Sequence, residues 1–316
     1  MPRFTGAPLA VSRRSLFLAA QWIFAGVIVW FAVVALRGQW DAAGERLATI
    51  RPQWGPIALA TVLVLATYVL LIDTWRRIVI AAGETLSFAD AARIWFISNL
   101  GKYVPGKVWS IAAMSVMARE RDVSPITAAG SSVLIQVVTV AAGTGVVLVA
   151  GAQALDEPLA AASLGIGILT MLAVVPFALP AAGRLLASIT GRPVAVPQIS
   201  ASTVWWATAR SILSWIAYGI AFQFFVEGVL GSATGATSSY IAVYAASYII
   251  GFLALFAPGG AVVRESAMVS GMLRLGLAGQ ADALVVAVAS RLWLTVTELL
   301  PGLAYLAAGR RPPRNR

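Results

Sequence analysis

Long apolar runs are the feature that most constrains how this chain can fold. Runs at 15–36, 56–75, 125–150, 159–182, 203–226 and 283–308 carry few charges. About 20 apolar residues in an α-helix cross the ~30 Å hydrocarbon core of a bilayer. Charged residues make up only 11% of the chain, against about 25% in soluble domains. The runs are continuous rather than alternating, so we predict an all-α polytopic membrane protein with about six spanning helices.

Two further apolar regions are interrupted near their middle. Pro105-Gly106 divides region 91–118, and Pro258-Gly259-Gly260 divides region 240–275. Proline removes a backbone donor and glycine frees the dihedral angles, so each break ends one helix and starts another. A helix over 91–104 would be roughly 21 Å long, too short to cross. We therefore predict two re-entrant helical hairpins, with a full span over 240–257 left open as an alternative.

The interrupted regions align without a gap through their Pro-Gly pairs, and each lies between two predicted spans. Basic residues favour cytoplasmic loops, and they place both termini and the first hairpin on the inner side. The second hairpin then enters from the opposite face, so we predict an inverted repeat, although chance coincidence is the alternative. The predicted segments are tails 1–14 and 310–316, membrane halves 15–182 and 203–309, hairpins 91–118 and 240–275, and a cytoplasmic linker 183–202.

The two breaks place positive charge beside helix starts. Lys102 and Lys107 are the only lysines of the chain. Gly106 begins one half-helix, and Gly259 and Gly260 begin the matching one. The first N–H groups of such helices have no backbone partner and favour anions. We predict a phosphate site here, although the lysines could instead reach the cytoplasmic headgroups and only anchor the hairpin.

Charged residues inside predicted spans are costly and usually functional. The seven-residue spacing of Arg291 and Glu298 puts them on one helix face, and Arg264 and Glu265 follow the second break. We predict that these four side chains form a network that opens to admit an anionic headgroup; a closed structural cluster is the alternative. Arg210 is predicted either to line the same cavity or to reach the inner surface.

Two other polar patterns have mainly structural interpretations. Ser132, Gln136, Thr139 and Gly143 repeat at helical spacing, and we favour helix packing over a headgroup groove for them. Asp73 lies three and four residues before two arginines and is predicted to form an interfacial ion pair.

The chain has no cysteine and no histidine. Disulfides, thiolate chemistry, serine–histidine triads and the commonest metal ligands are therefore excluded. We predict no metal, no cofactor and no nucleic-acid partner, because the net charge of +10 suits anionic lipid and membrane orientation. No acidic catalytic pair or nucleotide loop is evident. We expect no enzyme activity, with a small intramembrane lipid enzyme as the alternative.

Two stretches, "GKYVPGKVWS" followed by "ARERDVSP" and the later "FAPGGAVVRESAMV", resemble the signature regions of the lysylphosphatidylglycerol synthase membrane-region family, also called flippase-like domain proteins. The resemblance spans about 15–308 and implies lipid translocation by a stand-alone member without the soluble synthase domain. Ala261 departs from the bulkier residue expected there. Residues that match the motifs, and so inherit a site role, are Lys102, Pro105, Gly106, Lys107, Pro258, Gly259, Gly260, Arg264 and Glu265.

Together these patterns predict a flippase of the bacterial inner membrane. Its substrate would be an anionic phospholipid or a lipid-linked sugar on a polyprenyl phosphate. A glycosyltransferase or lipid synthase is an expected partner, and the alternative is a non-transporting scaffold for such an enzyme.

Overall fold

The computed structural model describes residues 49–103, 108–190, 200–254, 260 and 262–308, without the side chains of 102, 103, 108 and 178–190. Helices fill this part of the chain and it contains no strand, which confirms the all-α prediction. The α-helices are α1 (Trp54–Ala81), α2 (Phe88–Asn99), α3 (Val108–Arg119), α4 (Pro125–Ala150), α5 (Pro158–Thr190), α6 (Ala201–Leu230), α7 (Thr237–Leu253), α8 (Val263–Arg274) and α9 (Gln280–Ala307).

Within the described residues, five helices are long and apolar enough to cross a membrane: α1, α4, α6, α9 and the Pro158–Phe177 part of α5. Each coincides with a predicted run. The predicted span at 15–36 lies outside the described residues. Helix α5 continues to Thr190, into the segment that we expected to be a linker.

Local sequence signals explain several helix ends. The Ser87 hydroxyl accepts a hydrogen bond from the Asp90 N–H before α2, and Ser200 does the same with the Thr203 N–H before α6. These bonds satisfy donors that the first helical turn leaves free. Pro125 occupies the first position of α4, where its missing N–H costs nothing. Gly231 ends α6 with a φ of 85°, a left-handed conformation that glycine tolerates.

Both interrupted regions are helical hairpins. Helix α2 ends at Asn99, a 3-10 turn covers Leu100–Tyr103, and α3 begins at Val108. Helix α7 ends at Leu253 and α8 begins at Val263. The two arms of each hairpin contact each other. At 17 residues, α7 is about 25 Å long and is not among the candidate spans. The predicted breaks are thus confirmed, and entry of the hairpins into a bilayer stays a prediction.

The contacts between the two units are reciprocal. The first unit comprises α1, the α2–α3 hairpin and α4, and the second comprises α6, the α7–α8 hairpin and α9. Helix α4 packs against α7 of the second hairpin, and α9 packs against α2 of the first. Helices α1 and α6 pack antiparallel, because Gln53 donates to the Gly228 carbonyl at one end while Arg210 contacts Asp73 near the other. The first helices of the two units therefore run in opposite directions, which is consistent with the predicted inverted repeat.

Candidate functional site

The interior between the two units holds a cavity of about 250 Å³. Every described α-helix except α5 contributes to its wall, including both hairpins. A fully apolar core would leave no polar atoms here, yet many lining side chains carry polar groups. These are Ser98, Asn99, Ser110, Ser132, Gln136, Thr139, Arg264, Arg291, Thr295, Glu298 and the tyrosines 68, 218, 244 and 248. The cavity lies where the inverted-repeat prediction expects a ligand.

Arg264, in the first turn of α8, is the most deeply buried charge on the cavity wall, with 7% of its surface exposed. Its guanidinium carbon lies 5.4 Å from the ring centre of Tyr244 and 5.2 Å from that of Tyr248. Its Nη2 atom is buried without a hydrogen-bond partner among the described residues. Aromatic faces attract a cation but do not satisfy this N–H donor. An anion entering the cavity would satisfy it.

Close backbone packing brings Arg264 to this position. Gly260 has a φ of 69°, and a side chain there would come within 2.5 Å of the Gly251 carbonyl oxygen. A side chain at Gly251 would in turn come within 2.7 Å of the Arg264 Cβ. Both glycines let the turn after α7 fold tightly onto that helix. Gly260 also lines the cavity, as its predicted site role requires.

An ion pair and a hydrogen bond to a carboxylate lie near Arg264. The Arg291 guanidinium lies 3.3 Å from the Glu265 carboxylate, with side chains 22% and 19% exposed. Glu298 accepts a hydrogen bond of 2.9 Å from the Tyr68 hydroxyl of α1. Arg264, Arg291 and Glu298 line the cavity, and Glu265 lies behind Arg291. The structure thus brings together the four residues predicted to form one network.

A cluster of aromatic side chains forms one wall of the cavity. Tyr218 stacks on Tyr244 with ring centres 5.4 Å apart, and Trp215 meets Tyr248 edge-on at 5.5 Å. The cluster is absent from our predictions. Its signal is present in the sequence, because Tyr240, Tyr244 and Tyr248 recur at four-residue spacing on one face of α7.

The polar stripe of α4 has two roles. Ser132, Gln136 and Thr139 line the cavity, which agrees with the groove alternative rather than with the packing we favoured. Gly143 does serve packing, because a Cβ there would lie 2.5 Å from the Trp215 indole nitrogen. The stripe therefore lines the cavity along its first part and packs against α6 at Gly143.

Of the remaining predicted site residues, one lies away from this cavity and four fall wholly or partly outside the described residues. Arg210 is absent from its wall and contacts Asp73 at 2.6 Å, between α1 and α6. Lys102 lies in the 3-10 turn at the tip of the first hairpin, and its side chain is outside the described residues. Gly106, Lys107 and Gly259 also lie outside the described residues.

The chain matches a known protein family along nearly its whole length. A family model described as "Lysylphosphatidylglycerol synthase TM region" matches residues 11–302. No curated protein matches the chain. The resemblance noted for the two Pro-Gly regions is thereby confirmed, and the chain belongs to the lysylphosphatidylglycerol synthase membrane-region family.

Proposed function

We propose that this protein moves an anionic lipid across the bacterial cytoplasmic membrane. The observation that carries the proposal is the guanidinium of Arg264, which is buried on the cavity wall with an unsatisfied donor. A buried cation is costly unless it is paired. A phosphate group would supply both the missing hydrogen-bond acceptor and the compensating charge, since arginine binds phosphate through paired N–H donors.

The position of the cavity suits a headgroup that crosses while its tails stay in lipid. Helices from both units line it, so relative movement of the units would open it to one side or the other. The hydroxyl and amide groups on α2, α4 and α9 would replace water around the polar headgroup. The aromatic wall would contact its apolar or sugar parts.

The Glu265–Arg291 ion pair beside the cavity would couple lipid binding to movement of the helices. Glu265 belongs to the second hairpin and Arg291 to α9, so their contact joins two elements that line the site. A bound phosphate near Arg264 would compete with Glu265 for the neighbouring guanidinium of Arg291. The loosened hairpin could then shift against α9.

The proposal is tested with purified protein in liposomes that contain a fluorescent phosphatidylglycerol. An impermeant quencher measures how fast the probe changes leaflet. Wild-type protein should accelerate exchange, and Arg264→Gln should reduce the rate about 10-fold or more, the value of a charged hydrogen bond. Arg274→Gln is the matched control, because Arg274 is exposed and also on α8.

The variant should lose transport without losing stability. Loss of the two cation–π contacts and relief of a buried charge act in opposite directions, so the thermal midpoint of Arg264→Gln should stay close to that of the wild type. Wild-type vesicles that exchange no anionic lipid faster than empty vesicles would contradict the proposal and favour the scaffold alternative. A chemically altered lipid product would instead indicate an intramembrane enzyme.

A further inference from the structure

A second polar site lies away from the central cavity. It is a groove of about 360 Å³ between the last turns of α1 and the first turns of α6. Arg76, Arg77 and Arg210 line it, together with Ser202, Thr203 and Trp206. No carboxylate is among its lining residues in the described part of the chain. We call this groove the arginine groove.

One carboxylate beside the groove is shared by all three arginines. Asp73 receives Arg77 Nε at 2.7 Å and Arg210 Nη1 at 2.6 Å on one oxygen, and Arg76 Nη1 at 3.3 Å on the other. Three cations on one anion leave a surplus of two positive charges. Each guanidinium has five N–H donors, and the contacts with Asp73 use one from each. The cluster is therefore organised by Asp73 but not neutralised by it.

The groove has the features of a membrane interface. Arg77 is 62% exposed and Trp206 is 65% exposed. The Arg210 guanidinium lies 5.9 Å from the Trp206 ring centre. Tryptophan is enriched at the headgroup level of bilayers. Both helices that form the groove are candidate spans, and the groove lies at one end of their antiparallel pair.

We infer that the arginine groove binds the phosphate headgroup of an acidic phospholipid that stays in its own leaflet. Arg77 and Arg210 would contact the phosphate. Ser202 and Thr203, whose hydroxyls hydrogen-bond to the Ser200 hydroxyl, add polar surface to the same groove. Trp206 would cover the glycerol region. Since the groove and the central cavity have no lining residue in common, this lipid is distinct from the proposed transported one.

The position of the lipid suggests what it does. Helix α1 belongs to the first unit and α6 to the second, so a headgroup held by Arg77 and Arg210 would contact both units. Its negative charge would offset half of the surplus of two positive charges and strengthen the contact between the units. Acidic lipid should therefore stabilise the protein more than a zwitterionic lipid does.

Native mass spectrometry of the purified protein tests the inference. Phosphatidylglycerol and phosphatidylcholine are titrated onto four proteins: Arg264→Gln alone, and Arg264→Gln combined with Arg77→Gln, with Arg77→Gln and Arg210→Gln, or with Arg274→Gln. The Arg264→Gln background removes the main anion ligand of the central cavity. The double change in the groove should weaken phosphatidylglycerol binding about 30-fold and Arg77→Gln alone about fivefold. Arg274→Gln should leave binding unchanged.

Three outcomes would overturn the inference. Equal binding of the two lipids would exclude a role for headgroup charge. Unchanged phosphatidylglycerol binding in the Arg77→Gln and Arg210→Gln protein would exclude the groove. Displacement of the lipid by millimolar inorganic phosphate would assign the site to a free anion instead. If the variant with both groove changes misfolds, the protein with Arg77→Gln alone still tests the groove, because the Arg77 side chain is largely exposed and its loss should not disturb folding. The titration repeated with wild-type Arg264 should show one further bound phosphatidylglycerol that the groove changes leave in place. The groove result does not depend on that second lipid, so failure of the transport proposal would leave it readable.

Discussion

Arg264 and Arg210 show how different surroundings give two arginines of an apolar chain different chemistry. Arg210 meets a carboxylate at 2.6 Å and is part of a charge cluster at a helix end. Arg264 meets two tyrosine rings and keeps an unsatisfied buried donor. Arg210 shares one carboxylate with two other arginines and so keeps donors for a further anion at the surface. Arg264 has no carboxylate within ion-pair distance among the described residues, and its charge is buried beside the cavity against tyrosine rings. That difference is why the central cavity carries the transport proposal.

The ion pair of Glu265 and Arg291 can be tested by single-residue changes. Each single change, Glu265→Gln or Arg291→Gln, removes one partner of a pair that is only about one-fifth exposed. We expect each variant to lose about 1–3 kcal/mol of unfolding free energy, because the remaining charge stays partly buried. The double variant should lose less than the sum. Denaturant unfolding in detergent, followed by tryptophan fluorescence, measures all three.

Arg274→Gln is the control for surface charge on α8 and should change the unfolding free energy by less than about 0.5 kcal/mol. If the losses of the two single variants simply add in the double variant, the side chains are not coupled. The contact would then have no role in joining the hairpin to α9.

At the scale of helices, small residues decide how closely elements approach. Gly143 lets α4 lie against Trp215 of α6, whose indole donates to the Thr139 carbonyl at 2.8 Å. That contact fixes the aromatic wall of the cavity. Gly167 in α5 has no neighbour within 4 Å of a Cβ built there. The two glycines therefore differ in packing although both lie within a helix.

These two positions make a matched pair of substitutions. Gly143→Ala should force the Trp215 indole away and cost about 1–3 kcal/mol, the usual effect of overpacking. Gly167→Ala should be neutral or stabilise by up to about 1 kcal/mol, since alanine favours helix more than glycine does. Thermal unfolding in detergent compares them. Equal midpoints would mean that the α4–α6 contact tolerates the extra methyl group.

At the scale of the whole molecule, the antiparallel packing of α1 and α6 places corresponding loops at opposite ends. The turn after α1 contains Thr85, and the turn after α6 contains Ser232. Both residues are exposed. In addition, α4 of the first unit packs against α7 of the second, and α9 of the second packs against α2 of the first. One cavity between two oppositely directed units follows from that arrangement.

The absence of cysteine makes membrane topology directly testable. We expect an impermeant maleimide to label Ser232→Cys from outside intact cells, and Thr85→Cys only after the membrane is opened. Asp156→Cys, in the exposed turn after α4, should behave like Ser232→Cys. Labelling of Thr85→Cys and Ser232→Cys from the same side would contradict the inverted orientation. The unchanged chain controls for reaction at other residues.

Much of this architecture could be predicted from residue order alone: the membrane class, the five described spans and both helix breaks. The length of an apolar run and the presence of a Pro-Gly pair are local properties, so they set spans and helix breaks whatever the tertiary packing is. Residue order also identified Arg264, Glu265, Arg291 and Glu298, because charge within an apolar run is conspicuous without any structure. The family follows from the same two motifs.

Which of the charged residues line the same cavity could be seen only from the packing of the helices. Whether an arginine meets a carboxylate or a tyrosine ring depends on contacts between distant helices, which the spacing of residues along one helix does not contain. Hence the sequence left open whether Arg210 lines the cavity or reaches the inner surface, and the structure places it in a separate groove. The tyrosines of α7 were missed. Burial gave Arg264 its unsatisfied donor, and burial is a property of packing rather than of residue order.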